Sequence, residues 1–171
     1  DQNLFWSLSG DGRVGAMMTN STAKKTSWDI SIYTFADSKN RVFLETPFSE
    51  VSPVMTSDGK WLAYSSNESG QSEIYVQSLG NDGGKWQIST EGGNRPQWTA
   101  DNSELVFQTP DDKLMVVTVK FTPAFTASVP RKLVDPKIRQ IIANQYALSP
   151  DGKRILVNRS VEQTVATPVT L

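Results

Sequence analysis

Four aspartates recur at nearly even spacing, Asp11, Asp58, Asp101 and Asp151, at intervals of 47, 43 and 50 residues. Carboxylates gathered in space can hold a cation or share acid–base work, so the setting of each decides what chemistry is open. All four stand in short polar turns: Gly10-Asp11-Gly12-Arg13, Ser57-Asp58-Gly59-Lys60, Ala100-Asp101-Asn102-Ser103 and Ser149-Pro150-Asp151-Gly152-Lys153-Arg154. An aspartate in such a turn accepts a hydrogen bond from the backbone N–H two residues on, and the glycine after it takes the positive φ that closes a hairpin. In the third copy Asn102 replaces glycine, and asparagine is the side chain that best tolerates the left-handed region. Hairpin geometry therefore accounts for all four aspartates and predicts turn residues, not a carboxylate set.

The remaining candidates for chemistry are weaker. Asp111 and Asp112 follow Pro110 and read as a solvated turn whose carboxylates point apart. Asn81-Asp82-Gly83-Gly84 offers one carboxylate where calcium takes about six to eight oxygens, so it reads as a hairpin loop. The chain has no histidine and no cysteine, which removes the commonest general base, the commonest transition-metal ligands, disulfides and a thiol nucleophile. There is no G-x-S-x-G elbow, no phosphate-binding glycine loop and no ligand cluster. The expectation is a protein without catalytic residues, bound metal or cofactor.

The turns organise the rest of the chain. Three residues before each aspartate stands an apolar side chain (Leu8, Met55, Trp98, Leu148), and five and six residues after it stand Ala16 and Met17, Ala63 and Tyr64, Val106 and Phe107, Leu156 and Val157. Short apolar runs on both sides of a tight turn predict a β-hairpin at the head of each unit. A third strand follows in Asp29–Tyr33, Glu73–Val76 and Lys113–Val116, and a fourth in Arg41–Leu44, Lys85–Ser89 and Arg131–Val134. No stretch carries a helical period; residues 136–144 read as a connection leading into the fourth unit. A period in the forties with four strands per unit matches a propeller blade. The expected fold is all-β: β-propeller blades, about four four-stranded antiparallel sheets in a partial or open propeller. The chain is expected to be a single domain, 1–171, with units near 1–49, 50–93, 94–143 and 144–171, the last incomplete.

Charge and hydropathy narrow the partners. The formal net charge is −1, with both signs spread along the length, so no broad attraction to nucleic acid or anionic lipid is expected. No apolar run approaches the roughly 20 residues that span a bilayer, and direct membrane insertion is not expected. Asp1 in place of methionine suggests a processed or excised product, with a targeting segment expected to have been removed.

The stretch Thr56-Ser57-Asp58-Gly59-Lys60-Trp61-Leu62-Ala63-Tyr64-Ser65-Ser66-Asn67-Glu68-Ser69-Gly70, continued by Glu73-Ile74-Tyr75-Val76 and Gly83-Gly84-Lys85-Trp86-Gln87-Ile88-Ser89-Thr90, resembles the repeat of TolB-like (WD-like) β-propellers. It looks like the C-terminal blades of propellers fused to bacterial kinases or found in related exported proteins. The turn at Asp101 lacks the proline and glycine of the family pattern, and that at Asp11 lacks the proline. The resemblance implies a bacterial, periplasmic or otherwise extracytoplasmic protein acting as a non-catalytic scaffold for a protein or peptide partner, in the manner of a sensor portion of a larger protein. The alternative it implies is the substrate-gating propeller of a prolyl-oligopeptidase-like serine peptidase, whose catalytic domain would lie elsewhere. A propeller lyase acting on uronides would need histidine ligands that this sequence lacks.

Propellers of this family usually close with six or seven blades, so four units imply either pairing of two chains or completion by missing blades, with a small closed ring as the remaining possibility. An open arc would leave an apolar face at each end, larger than soluble monomers usually tolerate. Propeller geometry points to one rim for binding, where the outer strand of one blade leads into the inner strand of the next. Expected there are Glu50, Asn67, Glu68, Asn94, Arg95, Asn144 and Gln145. Trp61, at a position expected to alternate outward, is the aromatic candidate for a contact, with inter-blade packing as its other reading, whereas Trp98 is expected in the core. Asn20 and Asn67 sit at the same offset from their aspartates and begin N-x-S/T triplets, read as repeat-linked loop chemistry.

Overall fold

The computed structural model describes residues 2–20, 27–80, 84–135 and 146–158, and every regular element among them is a β-strand. The first sheet runs in chain order through β1 (Gln2–Leu8), β2 (Val14–Asn20), β3 (Asp29–Thr34) and β4 (Lys39–Leu44). The second repeats it with β5 (Glu50–Met55), β6 (Trp61–Ser66), β7 (Glu73–Ser78) and β8 (Lys85–Gln87). The third contains β9 (Asn94–Trp98), β10 (Glu104–Gln108), β11 (Leu114–Lys120), β12 (Thr126–Ala127) and β13 (Arg131–Val134); of the fourth, the hairpin β14 (Tyr146–Leu148) and β15 (Ile155–Val157) is described. All pairings are antiparallel. The connection at 136–144 lies outside the described residues, as do residues 81–83 of the Asn81–Gly84 loop.

The third unit departs from one outer strand per sheet. Thr126 and Ala127 pair with the end of β11, and Arg131–Val134 pair with its beginning, so two short strands share one edge. Phe125, immediately before β12, is buried among Trp61, Trp86 and Phe121.

The four aspartate turns occupy equivalent corners. Each Oδ1 accepts from the backbone N–H two residues on, at 3.0–3.1 Å, and the residue between them has φ of +57° to +68°. A hydroxyl two residues before each aspartate completes the turn: Ser9, Thr56, Thr99 and Ser149 donate to the carboxylate and accept from the backbone N–H five residues on. That second repeat is visible in the sequence once the geometry is known. The hydroxyl is the foremost cause that holds the carboxyls of Asp11, Asp101 and Asp151 below the usual range. Adjacent corners touch, with Gly10 N–H donating to Ser57 O at 2.8 Å.

Packing between sheets follows the two-residue alternation of strands. Ala16, Ile30 and Ile32 of the first sheet meet Met55, Leu62, Tyr64 and Tyr75 of the second. From its other face the second sheet sends Ala63, Ile74 and Val76 against Leu105, Phe107, Val117 and Val119 of the third. Val106, Leu114 and Val116 then meet Tyr146 of the fourth unit. Strands β6, β7 and β10, in the middle of the second and third sheets, are thus buried on both faces over most of their length, which is why they read as apolar runs in place of alternating ones. Each such buried side chain contributes about 1.5–3 kcal/mol.

Candidate rim between the second and third sheets

The strand registers put the inner-strand starts and the loops after each second strand at one end, opposite the aspartate corners. Glu50 faces Ser66, which faces Glu73; Asn94 faces Gln108, which faces Leu114. The inner strands reach this rim through a kink that the sequence reading missed. Ser52 and Arg95 have φ of +55° and +51°, each just before a proline and each six residues before its turn aspartate. A pre-proline residue normally stays extended, and the left-handed turn there coincides with a register shift against β6 and β10. The paired Ser52-Pro53 and Arg95-Pro96 were the available signal.

The expected rim residues divide by environment. Glu50 is corrected from a presented side chain to a buried one, with 1% of its surface exposed. Its Oε1 accepts from Thr46 Oγ1 at 2.7 Å and from Ser66 Oγ at 3.3 Å, while Oε2 is buried without a hydrogen-bond donor among the described residues. Burial, helped by the charge of Asp29, pushes its carboxyl above the ordinary range against the opposing effect of those hydroxyls. Asn67 is exposed and accepts from Ser49 N–H at 2.9 Å, fastening the loop after β6 to the connection into β5. Glu68 is paired with Lys85, whose ammonium lies 4.7 Å from the centre of the Tyr75 ring. Asn94 accepts from Ser72 Oγ at 2.7 Å. Arg95 is half-buried and donates to Gln108 Oε1 at 3.0 Å, and Gln108 donates on to Asp112 Oδ1 at 3.0 Å. Asn144 and Gln145 lie outside the described residues.

Trp61 takes the inter-sheet packing place that was the other reading of it. Its ring sits 5.1 Å from Phe121, 5.3 Å from Phe125 and 5.6 Å from Trp86, so it packs between the sheets. The side faces the third sheet because Trp61 shares a face with Ala63. Trp98 packs against the same cluster and donates its indole N–H to Val54 O at 3.1 Å.

Buried Glu73 shows how the rim is held. It accepts from Gln71 Nε2 at 2.6 Å, from Gly92 N–H at 2.9 Å and from Ser89 Oγ, tying the start of β7 to the connection that leads into β9. Asp111 and Asp112 have separate partners: Asp111 pairs with Lys113 and accepts from Thr109, and Asp112 accepts from Gln108.

Between these loops opens a cleft of about 250 Å³ that the sequence did not disclose. Phe107 and Met115 line it from the third sheet, Glu91 and Thr109 from the two rim loops, and Val129 and Pro130 from the approach to β13. Val129 is 84% exposed, the barest large apolar side chain described. Among the described residues no group of three or more metal-ligating side chains converges anywhere, and no helix is long and apolar enough to cross a membrane.

No family model matches the chain, and no curated protein matches it. Solved structures do. The chain is similar to TolB from Acinetobacter baumannii, with 17% identity and a TM-score of 0.68 over 92% of this chain and 37% of that one. It is similar to a functionally unknown protein from Desulfotomaculum acetoxidans, with 13% identity and a TM-score of 0.61 over 91% and 49%. An oligogalacturonate lyase in complex with manganese follows, with 17% identity and a TM-score of 0.55 over 85% and 41%. The chain spans less than half the length of each of these proteins. At such identities the likeness speaks for architecture, and with the repeated sheets described above it gives this chain the fold of consecutive TolB-like β-propeller blades.

Proposed function

We propose that the chain is a non-catalytic binding scaffold that takes a protein or peptide segment at the rim between its second and third sheets, as part of an extracytoplasmic bacterial protein. The cleft beneath Val129 carries this reading. It combines an apolar wall of Phe107 and Met115 with hydroxyls and a carboxylate at the mouth, the mixture that seats one apolar side chain and orients the backbone around it. The surrounding polar groups are already engaged with one another, which makes the rim rigid and lowers the ordering cost of binding. Absence of histidine and cysteine from the sequence, and the use of the recurring aspartates in turns, support a role without catalysis. Similarity to a lyase at the level of fold does not bring its activity, since function resides in sites grafted on folds.

The test is selection of a displayed random-peptide library on the 171-residue chain, followed by NMR mapping of a selected peptide. Shifts confined to residues 89–95, 107–115 and 129–130, together with at least tenfold weaker binding by Val129→Asp at unchanged thermal midpoint, are the expected result. A footprint on the aspartate corners, or binding indifferent to Val129→Asp, would refute the assignment.

A further inference from the structure

The cleft between the second and third sheets has a charge as well as a shape. It lies between two sheets that are each flanked by another, and all its lining residues are described. Of those residues Glu91 alone carries a charge. Glu50, Glu68, Glu73 and Glu104 each accept a hydrogen bond or pair with a cation, whereas Glu91 makes neither contact among the described residues. Lys113, on which its charge acts, is already paired with Asp111 and lies in the field of Asp135 as well. Arg95 is taken up by Gln108, and Lys132, the cross-strand partner of Met115, does not line the cleft. Three carboxylates thus share one ammonium beside the opening, and its mouth is left with an excess of negative charge.

The loop that carries Glu91 is fixed on both sides of it. Thr90 O accepts from Gln71 Nε2 at 3.3 Å, Gly92 N–H donates to Glu73 Oε1 at 2.9 Å, and Gly93 N–H donates to Ser72 O at 2.8 Å. Gly92, with φ of +89°, presses on the opposite rim loop so closely that a Cβ there would lie 2.4 Å from Pro110 Cγ. Glu91 is therefore an unpaired carboxylate on a rigid backbone, a few residues along the rim from the apolar wall of Phe107 and Met115 and beside exposed Val129.

We propose that the peptide taken by this cleft is basic: an apolar side chain enters against Phe107 and Met115, and a lysine or arginine within two positions of it pairs with Glu91. This rests on the binding role assigned to the cleft above and adds the chemistry of its occupant. In an extended segment, side chains two residues apart share a face and stand about 6.5–7 Å from one another, a span that the long stem of lysine or arginine adjusts. Arginine fits best, since its planar fork matches a carboxylate. An acidic segment would bring like charges together, and a neutral one would take water from Glu91 without replacing it, so the same carboxylate selects against both.

The test is to sequence the peptides that a displayed random library yields on the parent chain, on Glu91→Gln and on Glu91→Lys, with thermal midpoints confirming that these exposed substitutions leave the fold intact. Selected peptides are then made acetylated, so that the cation measured is a side chain and not an amino terminus. Expected from the parent is enrichment of lysine or arginine within two positions of the apolar residue, with affinity about fivefold lower on Glu91→Gln. Alanine in place of the peptide's basic residue costs a similar factor on the parent and nothing further on Glu91→Gln. Glu91→Lys selects acidic residues at the same positions. Peptides that map to the cleft by NMR without basic enrichment, or that bind the parent and Glu91→Gln alike, overturn this inference and leave the binding role standing. Failure of any selected peptide to map to the cleft overturns both.

Discussion

Asn102 reaches out of its own turn to the corner before it: its Oδ1 accepts from Ser57 N–H at 3.1 Å and its Nδ2 donates to Ser57 Oγ at 2.6 Å. The asparagine therefore does two things at once. It takes the φ of +57° that glycine takes at the other corners, and it bridges the second and third sheets. Replacing it with glycine keeps the backbone and loses the bridge, at a cost of about 1 kcal/mol. Replacing it with alanine loses the bridge and adds roughly 1 kcal/mol of left-handed strain. Urea denaturation of the two variants should rank Asn102→Ala below Asn102→Gly, and equal losses would mean that the bridge alone matters.

Glu50 makes stability depend on pH in the direction opposite to most carboxylates. Its folded-state pKa lies above its unfolded one, so its contribution is fully present below the unfolded value of about 4.3 and is lost as pH rises through the folded value. Glu50→Gln removes the buried charge and should raise stability by about 1 kcal/mol near neutral pH. The gain should shrink in acid. Thermal melts across the acid-to-neutral range check this; a variant equally stabilised or destabilised at all pH values would contradict it.

Trp61 tests packing against recognition. With its ring among Trp86, Phe121 and Phe125, truncation to alanine should cost about 3 kcal/mol and change the tryptophan fluorescence of the native state. A residue serving only as a surface contact would lose less than about 0.5 kcal/mol.

The hydroxyl of Thr99 is the foremost cause of the lowered carboxyl of Asp101, ahead of the N–H and hydroxyl of Ser103. Thr99→Val should therefore return Asp101 part of the way to the ordinary carboxylate range, read from the pH titration of its carboxyl ¹³C signal. An unchanged titration would show that Ser103 suffices.

The turns, the hairpins and the four-stranded units could be read directly because they depend on residues close together in the chain. Asp58, Gly59 and the apolar runs around them specify a corner wherever they occur. Strand order led to the expectation of Asn67, Asn94 and Arg95 at one rim, and the registers set Asn94 opposite Gln108 and Glu50 opposite Ser66 at that end of the sheets. The same reasoning left Glu50 and Trp61 on the surface, since neither side chain carries a local sign of what will lie against it. The kink before Pro53 and Pro96 was present in the sequence as a repeated pair, but pre-proline preference argues against a left-handed residue there.

Local composition, then, determined that this chain forms successive antiparallel sheets with turn aspartates at equivalent corners, because a two-residue period and an Asx bend are properties of neighbours in sequence. Only tertiary structure decided which face of each sheet meets the next, that Glu50 is enclosed, that Trp61 packs against Phe125, and that a cleft opens beneath Val129. Those outcomes depend on side chains brought together from separate strands and sheets, and burial is a relation between two surfaces that neither one specifies alone.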